Sequence, residues 1–177
     1  RLLEARPGLF ALIADCLTLA PPLAEELSRR ADLLDALIDR TALDLPGSVD
    51  ELAARMGRRE RGDDYEMRLD RLRVVTGEMR FALGVQLIEA AHDPLAIAAG
   101  LSRTAEAALR VALDAAEEEF ASKHGRIAGS ELAILGLGRL GGGVLTHASD
   151  LDIIYLFTGT HERESDGPRP LGATLYF

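Results

Sequence analysis

The chain has 177 residues, which bounds it to one domain or two small ones. Its hydrophobic content of 47% is ample for a core, yet no apolar run approaches the roughly 20 residues of a membrane helix. A net charge of −9, with 5% aromatics and no Trp, argues against nonspecific nucleic-acid binding, which draws on Lys and Arg at phosphates and on base stacking.

The N-terminal stretch has no signal-peptide layout. The single cysteine, Cys16, excludes an internal disulfide and fits a reducing, cytoplasmic setting, where it serves as a small apolar core residue. The expectation is a cytoplasmic protein that engages neither membrane nor nucleic acid.

Residues 1–123 read as helical. Leu9, Leu12, Ile13, Cys16 and Leu17 follow the 3.6-residue spacing of a helix. Pro21 and Pro22 stop that helix and open the next, because proline is tolerated in a first turn. Leu23, Leu27, Leu34, Leu37 and Ile38 mark a second stripe, and Thr41 to Gly47 is a connector. Ser48 with Glu51 forms a capping box ahead of Leu52 and Met56. Gly57 to Asp64 is a charged loop, expected to be the most mobile part of this half.

A long helix is predicted from about Tyr65 to Ala91, with Leu69, Leu72, Val75, Met79, Leu83 and Leu87 inward. Gly77 and Gly84 each cost about 1 kcal/mol there relative to Ala, and their use would be close helix packing. Arg68, Arg71, Arg73 and Arg80 line this helix. They read as a solvated face paired with Asp70 and Glu78, or as cations facing a phosphate. Asp93-Pro94 has the form of an N-cap with Pro at the first helical position. A further helix is predicted from about Leu101 to Ser122, with Glu117 to Glu119 facing solvent.

His124 to Ser130 is polar and contains two glycines, so the division falls there: a helical region over 1–123 and a sheet-bearing region over 124–177. Leu132 to Leu135 is long enough for a strand, and Leu151 to Phe157 reads as a buried one. Thr158 to Pro170 is a loop. Between the strands, the eight residues Gly136 to Gly143 contain five glycines, so the backbone can turn sharply and approach a ligand.

Gly136, Gly138 and Gly141 match G-x-G-x-x-G, the dinucleotide fingerprint. The surroundings oppose that reading. A parallel crossover needs a dozen or more residues, and only Gly142 to Asp150 is left before the next strand. No Gly-Lys-Ser/Thr follows the glycines, which excludes a P-loop.

Asp150 and Asp152 open the second apolar run. In a strand their side chains would share a face, roughly 7 Å apart at the Cα atoms from ~3.3 Å of rise per residue. A divalent cation would relieve their repulsion, and Mg²⁺ prefers such oxygen ligands. Backbone N–H groups around Gly141 and Gly142 can cradle phosphate oxygens, Ser149 lies beside them, and Arg139 can add a bidentate contact. An anion cradle beside a metal pair is the equipment of nucleotidyl transfer. The same spacing also fits a glycine-rich turn with surface aspartates capping a nearby group.

The stretch G-L-G-R-L-G-G-G-V-L-T-H-A-S-D-L-D-I-I-Y-L-F resembles the signature of the bacterial glutamine-synthetase adenylyltransferase/adenylyl-removing family. Leu23 to Asp39, the Arg-rich helix over Leu69 to Ile88, and Asp166 to Phe177 resemble further segments of that family, the last pointing to its adenylyltransferase half. The resemblance implies an α+β chain: a mostly helical N-terminal region, then the start of a polymerase-β-type nucleotidyltransferase domain. It implies that Asp150 and Asp152 bind Mg²⁺ and are catalytic, while Gly141, Gly142, Ser149 and Arg139 shape the site for ATP.

The implied reaction is transfer of AMP to a tyrosine of glutamine synthetase in the control of nitrogen assimilation. The implied partners are glutamine synthetase and a PII-type signal protein. Two alternatives stand beside it: the adenylyl-removing, phosphorolytic half, and a helical docking module for the signal protein. Two positions depart from the family pattern, with Arg139 in place of Lys and Val144 in place of Glu. The resemblance also implies a third carboxylate on a later strand. No strand is predicted after Phe157, so the chain by itself is expected not to transfer AMP.

Overall fold

Three helix starts follow directly from capping chemistry. Ser48 Oγ accepts from Glu51 N–H at 3.3 Å, and the Glu51 carboxylate accepts from Ser48 N–H at 2.8 Å, completing the box. Asp64 accepts from Met67 N–H at 2.8 Å, and Asp93 from Leu95 and Ala96 N–H at 2.8 and 3.2 Å.

The computed structural model describes residues 7–33, 44–159 and 162–177. Among the described residues five helices come first: α1 (Pro7–Leu19), α2 (Pro21–Arg29), α3 (Val49–Met56), α4 (Tyr65–Ile88) and α5 (Pro94–His124). Then follow β1 (Leu132–Gly136), the single turn α6 (Gly138–Gly141), β2 (Ile153–Phe157) and the single turn α7 (Ala173–Tyr176).

α4 and α5 are the scaffold. On one side of α4, Leu12 and Cys16 of α1, Leu23 of α2 and Leu33 pack around Phe81 and Val85. On the other, Leu83 meets Ile97 and Leu101 of α5 together with Leu145 from the glycine-rich region. Nearer its start, Leu72 packs with Leu52 and Met56 of α3 and Ala107 of α5. Residues 81–86 are therefore buried on every side of the helix, not along one stripe. Leu87, assigned to the inward seam, is instead 46% exposed. Gly84 permits this close packing, because a Cβ there would lie 2.8 Å from Leu23 Cδ2. Burial among these side chains, with Asp15 and Glu89 nearby, pushes the Cys16 thiol above its usual range.

Two helix boundaries differ from expectation. α2 ends at Arg29, since Arg30 leaves helical geometry at φ −133°, ψ 80°. The break swings Leu33 into the same core as Leu23 and Phe81. Leu34, Leu37 and Ile38 lie outside the described residues. α5 starts at Pro94, not near Leu101, and runs unbroken through Gly100. A Cβ at Gly100 would lie 3.1 Å from the Pro46 ring, so glycine there admits the connector.

The arginines of α4 are mostly paired. Arg73 meets Asp70 at 3.2 Å, Arg68 meets Glu118 of α5 at 2.7 Å, and Arg71 grips Asp63 with two bonds of 2.7 Å. Glu78 lies 3.7 Å from Arg30 instead of pairing within the helix. The Asp63–Arg71 fork ties the charged 57–64 loop to α4.

β1 and β2 pair antiparallel, with Leu132 opposite Phe157 and Gly136 opposite Ile153. A tight antiparallel return is what the short Gly142 to Asp150 connection permits. The expectation of a buried second strand fails in this chain. Ile154, Tyr155 and Leu156 are 44%, 59% and 48% exposed, because nothing among the described residues covers those side chains. The C-terminal residues fold back on the junction: Tyr176 Oη donates to Gly125 O at 2.8 Å, and Phe177 stacks on Phe157 at 4.9 Å. The architecture is mostly helical with a small two-stranded sheet, an α+β chain.

Candidate functional site

The site is built where β1 runs out. Leu137 keeps extended geometry, and its N–H donates to Asp152 O at 2.8 Å, adding one rung beyond the ladder. Gly138 then enters the left-handed region at φ +52°. A Cβ on Gly138 would lie 2.5 Å from Asp152 Oδ2, so glycine leaves room for that carboxylate over the turn. A Cβ on Gly141 would lie 2.5 Å from Gly136 O, so this turn also closes only with glycine. Gly142 N–H to Gly138 O, Gly143 N–H to Leu140 O and Val144 N–H to Arg139 O complete the turn at 2.9–3.0 Å.

Residues 145–149 carry the chain from the turn to the aspartates. Leu145 is buried, and its N–H donates to Ser102 Oγ of α5 at 3.0 Å. Thr146 N–H donates to Ser149 Oγ at 3.0 Å, and the two hydroxyls lie 2.8 Å apart. Arg139 Nη1 donates to Thr146 Oγ1 at 3.2 Å. Arg139, Thr146 and Ser149 thus form one hydrogen-bonded chain beside the glycine turn. The structure brings the predicted Arg139 and Ser149 together and adds Thr146, which the sequence reading missed. Its signal was available, since hydroxyl residues three apart in a loop favour side chain-to-backbone turns.

His147 points the other way, into the helical half. Its side chain is 18% exposed, with Nε2 3.6 Å from Glu26 Oε2 of α2. Burial lowers its pKa from the usual histidine range; neighbouring Arg80 lowers it further, and Glu26 opposes both. Arg80 Nη2 donates to His147 O at 3.0 Å.

Asp150 and Asp152 are both exposed and stand just ahead of β2, not within it. Regular pleating starts at Ile153, so the strand alternation expected to align the two carboxylates does not reach Asp150. Among the described residues, no group of three or more His, Cys, Asp or Glu side chains gathers to hold an ion. Two exposed carboxylates with hydroxyls nearby suit a hard cation that keeps several waters and takes its other ligands from substrate phosphates, as Mg²⁺ does.

The sequence profile of the glutamate-ammonia ligase adenylyltransferase family matches residues 10–177. The chain belongs to this family. Relatives agree along its length. A bifunctional glutamine synthetase adenylyltransferase/adenylyl-removing enzyme of Mesorhizobium japonicum is 39% identical over 179 aligned residues, covering 99% of this chain. The enzymes of the same description from Rhizobium meliloti and Brucella suis are 38% and 33% identical, again over 99% of the chain. The chain spans 18% of the length of each of these relatives. No helix among the described residues is long and apolar enough to cross a membrane.

Proposed function

We propose that this member of the glutamate-ammonia ligase adenylyltransferase family carries part of a nucleotidyl-transfer site that moves AMP from ATP to a tyrosine of glutamine synthetase. One observation carries the reading: Asp152 lies over the Gly138 turn, in space that a Cβ would fill. A carboxylate against a glycine turn places a cation ligand where a phosphate can approach the backbone closely, beside the Arg139 cation, the juxtaposition that phosphoryl chemistry requires. Asp150 and Asp152 would hold Mg²⁺, which neutralises charge on the phosphates when bound. Gly141 and Gly142 keep the turn free of side chains, while their own N–H groups are taken up by Leu137 O and Gly138 O and do not cradle an anion. Arg139, steadied by Thr146 and Ser149, supplies a cation at the same edge. The fold would be the start of a polymerase-β-type domain, and the setting cytoplasmic.

The relatives' description also names an adenylyl-removing activity. The adenylyl-removing reading therefore stands second, and a PII-type protein as regulator belongs with either.

The test is Asp152→Asn in the full gene product, assayed by label transfer from α-labelled ATP to glutamine synthetase. Loss of one charged metal ligand should cut transfer by at least about 10²-fold. Thermal stability should barely change, because the exposed Asp152 side chain makes no hydrogen bond or ion pair among the described residues. If the aspartates merely cap a turn, stability falls and activity per folded molecule persists.

A further inference from the structure

We infer that Arg80 is a positioning residue: from helix α4 it clamps the loop that carries Ser149, Asp150 and Asp152, so that the helical half sets the geometry of the proposed transfer site. The inference rests on the reading above for its consequence, but on packing for its evidence.

The loop is not held by continuous packing. A cavity of about 460 Å³ lies between it and the two long helices, bordered by Thr76 and Arg80 of α4, Leu109 of α5, and Thr146, Ser149 and Asp150 of the loop. Thr76 Oγ1, on that border, is buried without a hydrogen-bond partner. Apart from the Leu145 side chain, buried against Leu83, Ile97 and Leu101, the loop depends on a few point contacts across this space. Leu145 N–H bonds Ser102 Oγ, which in turn donates to Ala98 O at 3.0 Å. The His147 ring sits against the bare backbone of Gly84, where a Cβ would lie 2.9 Å from His147 Cδ2. Arg80 Nη2 holds the His147 carbonyl at 3.0 Å.

Arg80 also differs from its neighbours. Arg68, Arg71 and Arg73 each meet a carboxylate, whereas among the described residues Arg80 meets none. Its guanidinium is committed to a main-chain oxygen three residues ahead of Asp150. A charge-assisted bond to a carbonyl is stronger than a neutral one and fixes the peptide plane it grips. Moving reacting groups by about 1 Å can cost roughly 10²-fold in rate, so slack in this loop should reach the chemistry.

The experiment uses the full gene product with Arg80→Ala, and Arg80→Lys as the conservative variant, since an ammonium still donates to a carbonyl. Hydrogen exchange is read first. Amides of 145–149 should exchange roughly fivefold faster in Arg80→Ala, with those of 65–75 unchanged, and Arg80→Lys should restore most of the protection. Adenylyl transfer is read second. In Arg80→Ala, kcat should fall roughly 10–100-fold and the Mg²⁺ needed for half-maximal rate should rise, with KM for glutamine synthetase unchanged. Unchanged exchange at 145–149, or faster exchange spread over the whole of α4, overturns the clamp. Faster exchange confined to 145–149 in Arg80→Ala, alongside a wild-type protein that never transfers AMP, leaves the clamp standing and removes the functional reading instead.

Discussion

Two glycines in one helix should respond in opposite directions to the same substitution. Gly77 and Gly84 both lie inside α4, where Gly→Ala is favourable by about 0.5–1 kcal/mol from backbone entropy. At Gly77 the new Cβ would meet one atom, Arg30 Nη1, at 2.9 Å. That atom is the far end of a flexible side chain and can rotate away, so the gain survives. At Gly84 the new Cβ would meet Leu23 Cδ2 at 2.8 Å, Leu23 Cδ1 at 3.0 Å and His147 Cδ2 at 2.9 Å. Both Leu23 methyls are hit, so turning that buried side chain does not clear the clash, and the imidazole closes the other side. Overpacking of this kind costs about 1–3 kcal/mol, leaving a net result between balance and a loss of about 2.5 kcal/mol. In urea unfolding followed by far-UV circular dichroism, Gly77→Ala should raise the midpoint and Gly84→Ala lower it. For a chain of this length the thermal shifts should be about +1 to +4 °C and about 0 to −10 °C. A Gly84→Ala protein stabilised as much as Gly77→Ala would show that α2 and the 145–149 loop do not press on α4 as described.

Other perturbations test separate parts of the frame. Phe81→Ala empties the centre of the α1–α2–α4 core and should cost about 3–5 kcal/mol by the same unfolding measurement. Ser48→Ala removes the capping box of α3 and should cost about 1 kcal/mol, with Ser48→Asp close to wild type. The Asp63 carboxyl, held by the Arg71 guanidinium and then by Glu60 N–H, is lowered from an ordinary 3.8 to about 2. A depressed folded pKa stabilises fully above the unfolded value, so this tie should be intact above about pH 4 and lost as pH falls through about 2. Asp63→Asn should flatten that acid limb in a pH titration of loop proteolysis, and an unaltered limb would show that other carboxylates control it.

The helix starts were legible because caps and prolines act through neighbours a few residues away. Ser48–Glu51 and Asp93-Pro94 specify their helices without any tertiary partner, and the Asp64 cap of α4, of the same local kind, went unread. What misled was the assumption of one covered face per helix. α4 is sandwiched, so Ala82, Gly84 and Gln86 are buried while Leu87 is not, and a stripe count cannot anticipate a second wall. The break at Arg30 was equally hidden, because it is decided by where Leu33 must go to reach Phe81.

The site divides along the same line. A Gly-rich turn ahead of an Asp-x-Asp pair is a local pattern, and its residues do come together, with Arg139 and Ser149 joined through Thr146. The supports of that loop are remote: Ser102 acts on Leu145 across 43 positions and Arg80 on His147 across 67. Nothing in the sequence near either pair announces it. The glycines themselves show why local reading stops short. In the sequence, Gly138 signifies freedom to turn. In the fold, the same missing Cβ is also the space occupied by the Asp152 carboxylate, so one absent methyl group serves the backbone and the proposed metal ligand together. A larger residue at 138 would therefore strain the turn and displace the carboxylate in a single step. That coupling is what the proposed site calls for, with the glycine turn and the aspartate acting together.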